Sequence, residues 1–543
     1  MSANILIIGG VAAGATAAAK ARRLDEHATI TILDRGPYVS FANCGLPYFI
    51  SRDIDKRSSL LLQSPEGFLS RYRVDVRLET EVLSIDRVRK IVVARTLQGE
   101  QEFTYDKLLL AQGGTPFVPP LAGVALPHVF KLWTIPDMDR IHGFVEENAP
   151  RHAVIAGGGF IGLEMAEALH ARGLQVTVVE LAPQVMALMD VEFGAMIRTE
   201  LEAKGVKVLT GVGVSSIEAH TVTLSDGSSI DADIVLLSIG VRPELALAKQ
   251  AGLKIGVSGG LEVDQYLRTS DANIYAAGDM VEIPHRILNK QVRIPLAGPA
   301  NKQGRIVAEN MLGASVAYRG AIGTSVVKVF EQTAAVTGLS EKAAREAGFS
   351  VGTSFIQKDH HASYYPGATP LTLKLVYRMQ DGMLLGAQAF GKNGADKRID
   401  VLATALHGHM TLDDLAELDL AYAPPYSSAH DPVNLAAFVG QNNRSGFSPL
   451  KTAQETIEAL QAGTGMLLDL RTLGEQSKEP VEGALWIPAD EVRDRLDEVP
   501  RDIPLYLLSK DGALGHTVLR ILVGEGYQNV FNISGGLAAI RWF

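Results

Sequence analysis

Short, continuously apolar runs, each closed by a glycine-rich or acidic turn, dominate the first half of the chain. Residues 5–8 form one such run, as expected of a strand covered on both faces, and an alanine-rich helical stretch follows to about Arg23. A second apolar strand, 29–33, ends in Asp34. The same order recurs further on: strand 153–156, a helix through His170, then strand 175–179 ending in Glu180. Between strand and helix lie Gly9-Gly10-Val11-Ala12-Ala13-Gly14 in the first copy and Gly157-Gly158-Gly159-Phe160-Ile161-Gly162 in the second. A βαβ unit of this kind sets a pyrophosphate on a helix N-terminus and a ribose hydroxyl on the terminal acid. The second copy carries the full G-x-G-x-x-G, whereas Val11 replaces the middle glycine of the first.

At 543 residues the chain is too long for a single core and is expected to divide into several domains. Its net charge of -10 speaks against a general nucleic-acid or membrane-surface binder. No apolar run approaches the roughly 18 residues that span a bilayer. The start, MSANILIIGG, reads as a first strand and not as a signal peptide, so the expected location is cytoplasmic.

The single cysteine, Cys44, changes the picture most. One cysteine allows no internal disulfide and no cysteine-cluster metal site, and no metal is expected. Cys44 lies in Ser40-Phe41-Ala42-Asn43-Cys44-Gly45-Leu46-Pro47-Tyr48, among polar residues, glycine and proline, which does not suit an inert core thiol. A lone thiol that takes electrons must finish its oxidative half-cycle bonded to something external. That partner is either a small thiol, giving a mixed disulfide, or oxygen, giving a sulfenic acid.

Two dinucleotide units about 150 residues apart resemble the two-dinucleotide flavoprotein disulfide reductases. Leu108-Leu109-Leu110-Ala111-Gln112-Gly113-Gly114-Thr115-Pro116, Ser238-Ile239-Gly240-Val241-Arg242-Pro243 and Ile274-Tyr275-Ala276-Ala277-Gly278-Asp279 match further segments of that pattern. The resemblance implies an α/β fold with two Rossmann-like domains, glutathione-reductase-like, for FAD and NADH. FAD would meet Gly9, Gly10, Ala12, Ala13, Gly14, Asp34, Arg35, Ala111, Gly113, Gly278 and Asp279. NADH would meet Gly157, Gly159, Phe160, Ile161, Gly162, Glu180 and Gly240. Glu180 repels a 2'-phosphate and no arginine follows closely, so NADH is preferred over NADPH.

The cysteine segment itself resembles the single-cysteine motif of coenzyme A-disulfide reductases and their persulfide-reductase relatives. His361-Ala362-Ser363-Tyr364-Tyr365-Pro366-Gly367-Ala368, Lys397-Arg398-Ile399-Asp400-Val401-Leu402-Ala403-Thr404-Ala405 and Tyr422-Ala423-Pro424-Pro425-Tyr426-Ser427 match the α+β dimerisation domain of that family. This resemblance implies that Cys44 is a nucleophile held as a thiolate with depressed pKa, flanked by Ser40 and Asn43. Thr16, Lys20 and Arg23 would contact the coenzyme A nucleotide, with Arg71 or Arg73 adding a phosphate contact. Tyr422 and one of Tyr364 and Tyr365, from a partner subunit, would donate to a leaving thiolate across a homodimer interface.

The last hundred residues resemble a rhodanese domain through Leu467-Leu468-Asp469-Leu470-Arg471, Leu505-Tyr506-Leu507-Leu508 and Ile533-Ser534-Gly535-Gly536-Leu537. The loop that carries the sulfur-bearing cysteine in rhodaneses here reads Ser509-Lys510-Asp511-Gly512-Ala513-Leu514-Gly515-His516. A hydroxyl cannot form a persulfide. The missing arginine, with Leu514 in its place, and the added Asp511 favour a natural loss of the site over an introduced serine.

The expected domains are 1-115 plus 245-325 for FAD, 150-244 for NADH, 326-445 for dimerisation and 450-543 for the rhodanese-like segment, with a linker at Asn442-Asn443-Arg444-Ser445-Gly446. The expected activity is NADH-dependent reduction of coenzyme A disulfide or coenzyme A persulfide. Its rivals are an NADH oxidase or peroxidase cycling Cys44 as a sulfenic acid, and a flavin-based redox sensor or binding protein.

Overall fold

The structure, a computed structural model, describes residues 3–543. It divides into two compact units, the first comprising Met1–Pro183 with Gly205–Gly323 and the second Gln184–Lys204 with Thr324–Phe543.

The first unit holds two parallel five-stranded sheets. One has strand Asn4–Ile8 between Thr29–Leu33 and Lys107–Leu110, with Asp75–Arg77 and Ile274–Ala276 at its edges. After their first residues, Asn4 and Lys107, its central strands are apolar and buried on both faces, which explains why they read as runs and not as alternations. The chain passes from Asn4–Ile8 to one neighbour through helix Ala12–Leu24 and returns on the opposite side. The crevice at that reversal, beyond the carboxyl ends of the strands, is where open α/β sheets bind ligands. The second sheet repeats the arrangement, with His152–Ala156 between Gln175–Glu180 and Ile234–Leu237. Strands Gly114–Pro116 and Val241–Pro243 pair antiparallel, Val241 opposite Pro116, so two of the matched connecting segments lie side by side.

The second unit is built on an antiparallel sheet in the order Ser325–Val329, Gln332–Gly338, Leu384–Gly391, Pro370–Arg378, Val351–Asp359. Helices Ala395–His407 and Pro432–Arg444 accompany it. A smaller parallel sheet follows, in which Leu505–Leu508 lies between Val530–Ile533 and Met466–Asp469. The linker expected at 442–446 is largely helix: Asn442, Asn443 and Arg444 form the last turn of Pro432–Arg444. Polarity suggested a linker, but Asn443 is bonded into the fold, donating to the Tyr377 hydroxyl at 2.9 Å and accepting the Leu450 N–H at 3.0 Å.

Lys374, on the interior strand Pro370–Arg378, is fully buried and meets three carboxylates: Glu341 at 2.9 Å, Glu192 at 3.0 Å and Asp190 at 3.1 Å. Its cross-strand neighbour Gln388 donates to Asp190 at 2.6 Å. This cluster explains why helix Val191–Ala203, which in sequence joins two strands of the nucleotide sheet, counts with the second unit. Burial opposes ionisation of Glu341, but Lys374 outweighs it and holds that carboxyl below its usual range. Replacing Lys374 by Met leaves buried carboxylates uncompensated and is expected to cost about 3–5 kcal/mol, read from denaturant unfolding of the second unit. Glu341 contributes stability that is lost as pH falls through its lowered folded pKa, so the gap between wild type and variant narrows on acidification.

Candidate active site

The peptide of Gly10 organises the first glycine loop. Its N–H donates to Asp34 Oδ2 at 2.7 Å, while Asp34 Oδ1 accepts the Gly36 N–H at 2.8 Å. Its carbonyl accepts the Ser40 N–H at 2.8 Å, which ties the cysteine segment to the same loop. Gly14 seals the turn, since a Cβ there would stand 1.8 Å from the Gly9 carbonyl oxygen. The second loop has the same construction: Glu180 accepts N–H groups from Gly158 at 2.6 Å and Ala182 at 2.8 Å, and a Cβ on Gly162 would stand 1.9 Å from Gly157 O. Gly159 is different. Its φ is -85° and a Cβ would meet no protein atom within 4 Å, so the fold does not demand glycine there. The requirement instead matches close approach of a dinucleotide.

Both loop helices start without a side-chain cap and without an acid in the first turn. Helices starting after Ser64, Thr134, Ser340, Thr411, Asp431, Thr452 and Thr472 are all capped by those side chains. The two dinucleotide helices therefore keep their terminal N–H groups for an anion.

Cys44 is exposed and sits in a short 3-10 turn, Asn43–Gly45, that runs into helix Leu46–Ile50. Ser40 before it adopts φ 47°, a left-handed conformation unusual for serine and held by backbone bonds to Gly10 and Leu62. The thiolate expected at Cys44 is corrected by the structure. Burial of its surroundings pushes the thiol pKa up, Glu164 and Asp279 push it further, and its own backbone N–H opposes them without prevailing.

Glu164 was not legible as a functional residue. It lies on the second loop helix, Phe160–Ala171, and accepts the Tyr48 hydroxyl at 3.2 Å. Tyr48 is four residues beyond Cys44, so this bond joins the cysteine helix to the nucleotide helix. Burial raises the pKa of Glu164, with Glu167 adding to it and Tyr48 opposing. Two acids three residues apart on an otherwise apolar helix were the available signal.

The residues expected to hold a nucleotide on the first helix are partly committed elsewhere. Thr16 donates to Asn301 at 2.6 Å, and Lys20 pairs with Glu309 at 3.0 Å. Arg23 and Arg71 are exposed, and Arg73 makes an exposed pair with Glu26 at 3.3 Å. Arg22 is structural: it is buried and donates to the carbonyls of Tyr72, Arg73, Asp25, Glu26 and Ala28. In the second unit Tyr364 and Tyr422 meet, hydroxyl to hydroxyl, at 3.2 Å, and both are exposed. Tyr365 packs edge-on against His361.

Residues 3–304 match the pyridine nucleotide-disulphide oxidoreductase family, and residues 324–432 match its dimerisation domain. The chain belongs to this family. Among relatives of this oxidoreductase, the coenzyme A disulfide reductase of Staphylococcus haemolyticus is 34% identical over 438 residues, 80% of this chain and 98% of that protein. The solved structure of reduced Bacillus anthracis CoADR-RHD is 41% identical, with a TM-score of 0.97 over 100% of this chain and 98% of that one. A NAD-dependent persulfide reductase from A. fulgidus is 38% identical, with a TM-score of 0.94 over 99% of this chain and 100% of that one. Both solved structures span the C-terminal sheet as well.

The first crevice of the oxidoreductase fits FAD on three counts. Helix Ala12–Leu24 begins uncapped at Val11; Gln112 Oε1 is buried without a hydrogen-bond partner; and burial alone pushes the Asp279 carboxyl up to about 6. Phosphate, ring and ribityl hydroxyl groups would satisfy these. Gly278 brings that aspartate to the first helix, its Cβ position lying 3.6 Å from Ala13.

The C-terminal loop keeps the form of an anion cradle around a serine. Ser509 is fully buried, and its hydroxyl oxygen accepts N–H groups from Gly512 at 3.0 Å and Gly515 at 3.3 Å. Asp511 does not face outward as a free repelling charge, because Lys358 of strand Val351–Asp359 pairs with it at 2.7 Å. Nearby, the Phe355 N–H on that edge strand donates to Ser534 Oγ at 3.0 Å.

Removing the Glu164 charge is expected to lower the Cys44 thiol pKa. Glu164→Gln should alkylate faster with iodoacetamide than wild type at neutral pH, the two converging at acid pH. Identical pH profiles would show that the Glu164 charge does not reach the sulfur.

Proposed function

We propose that the chain is an FAD-containing, NADH-dependent reductase of coenzyme A disulfide or coenzyme A persulfide that cycles Cys44 through a mixed disulfide with coenzyme A. The observation that carries this reading is one thiol, the only cysteine among 543 residues, on a segment bonded directly to the first glycine loop. With no resolving cysteine, the oxidised state of Cys44 must include an external partner. The named activities of the relatives supply that partner's chemistry.

In this reading the Cys44 thiol loses its proton and attacks coenzyme A disulfide, forming Cys44–S–S–CoA and releasing one coenzyme A thiolate. A coenzyme A persulfide would release hydrosulfide instead. A hydride from NADH and a proton then return the mixed disulfide to the free Cys44 thiol and a second coenzyme A thiol. Bound FAD supplies the two-electron relay between nicotinamide and sulfur. Glu164, hydrogen-bonded to Tyr48 and raising the thiol pKa, and Asp279 are the acids that bear on the proton Cys44 must lose. Tyr364 and Tyr422, from a partner subunit, donate to the departing thiolate. Arg23 and Arg71, exposed and cationic, suit the phosphates of coenzyme A. Thr16 and Lys20 would have to exchange their present partners to join them.

Glu180 supports NADH over NADPH. Its carboxylate is fixed by two backbone N–H groups, and Leu181, Ala182 and Pro183 place no cation beside it to receive a 2'-phosphate. The C-terminal domain is not a sulfur carrier in this scheme, since Ser509 cannot hold a persulfide.

Anaerobic NADH consumption with coenzyme A disulfide and with coenzyme A persulfide tests the reading. At least one should turn over, Cys44→Ala should fall to background with both, and mass spectrometry of the resting protein should find coenzyme A on Cys44. Full turnover by the alanine variant, or oxygen alone on the sulfur, would sink it. NADPH should serve on the order of tenfold less well than NADH, or worse, a difference of about 1.4 kcal/mol.

A further inference from the structure

The segment 397–405 matched the family by sequence without acquiring a role, and its arginine lies at the centre of a buried polar node behind the tyrosines. Arg398, on helix Ala395–His407, is 1% exposed. Its guanidinium donates to the His360 carbonyl at 2.8 Å, to Ser427 Oγ at 3.3 Å, and to both oxygens of Asp431 at 2.8 and 3.3 Å. Ser427 Oγ donates in turn to Asp431 at 2.6 Å. Asp431 also caps helix Pro432–Arg444 through the Val433 N–H at 3.0 Å. Burial alone would raise the Asp431 carboxyl; Arg398 and these bonds hold it below its usual range.

The node joins two loops. His360 opens the first loop, whose mouth is closed by the Thr369 N–H on His360 Nδ1 at 3.1 Å and the His360 N–H on the Thr369 carbonyl at 3.0 Å. Tyr364 sits at its tip. Ser427 ends the turn that follows Tyr422, and its carbonyl accepts the Ala362 N–H of the first loop at 3.0 Å. One guanidinium thus holds the base of each loop, and the two tips meet where Tyr364 and Tyr422 touch at 3.2 Å. Tyr364 is 74% and Tyr422 48% exposed, so packing around the rings constrains that distance little. It is set from behind.

We propose that Arg398 is a positioning residue that, with Asp431 and Ser427, fixes the loops bearing Tyr364 and Tyr422 so that the two phenols act as one paired hydrogen-bond donor to the substrate sulfur. The role of the pair at sulfur rests on the function proposed above; the positioning does not. A guanidinium is needed because one planar group must serve a carbonyl, a hydroxyl and both carboxylate oxygens together, which an ammonium cannot do. The pairing leaves a mark of its own, since the bond with Tyr422 raises the pKa of Tyr364.

The test uses the full-length holoenzyme with Arg398→Lys and the milder Ser427→Ala. Tyrosinate absorbance is followed against pH and compared with Tyr364→Phe, which identifies the paired phenol. In Arg398→Lys the raised step should move down to the ordinary tyrosine range, and kcat/KM for coenzyme A disulfide should fall on the order of 10- to 100-fold. Ser427→Ala should change both in the same direction by less, and it decides the matter where Arg398→Lys does not fold. An unmoved tyrosine step in folded Arg398→Lys, or in Ser427→Ala when that variant must decide, overturns the proposal. A moved step with undiminished turnover upholds the positioning and instead removes the tyrosines from the reaction, striking the functional reading.

Discussion

The peptide group of Gly10 is the constraint on which the reactive half of the molecule depends. Its N–H fixes the acid that closes the first βαβ unit, and its carbonyl fixes Ser40, four residues before the reactive sulfur. Any side chain at that position would press on Val39, 2.7 Å from the Cβ position, and on Ile32 at 3.0 Å. Cofactor cradle and cysteine segment are therefore one mechanical object. A change in the loop that moved the start of helix Ala12–Leu24 would move the thiol with it.

Much of this was readable before any coordinates. Paired apolar strands with glycine turns and terminal acids identify both nucleotide units, because strands buried on both faces leave an unmistakable run and the last glycine of each loop, Gly14 and Gly162, answers to a steric contact under 2 Å. The lone cysteine announces itself by its neighbours. What could not be read is whatever depends on distant pairing. Glu164 looks like one acid on a helix until the fold sets it against Tyr48, and Arg398 looks like one cation among several until His360, Ser427 and Asp431 close around it. The thiol's acidity went the other way from expectation for a related reason. A motif names the residue, but its charge state is a sum over surroundings that come from three separate stretches of chain.

The two halves solve the problem of buried charge differently. In the nucleotide units the acids are answered by backbone N–H groups, a local solution within about two dozen residues. In the second unit side chains answer them, most from far away, Lys374 for three carboxylates and Arg398 for Asp431, and one from close by, Arg471 for Asp469. Such pairs add little net stability over an apolar filling, yet each is costly to break, and so they specify one arrangement strongly. That suits a unit whose Tyr364 and Tyr422 sit on exposed loops with little packing of their own. The C-terminal sheet follows the same economy, its serine cradle retained as a fold element and its Asp511 drawn to Lys358.

The Lys374 cluster also bears on how the chain comes to be folded as it is made. Glu192 waits for a partner 182 residues downstream. At a synthesis rate of about 5–20 residues per second, that is a delay of roughly 9–36 seconds. For most of it, helix Val191–Ala203 carries acids with no buried cation to meet, while the strands on either side of it in sequence are already complete. The helix belongs by position to the first half of the chain and by timing to the second, so the ribosome finishes the nucleotide sheet long before its crossover can settle.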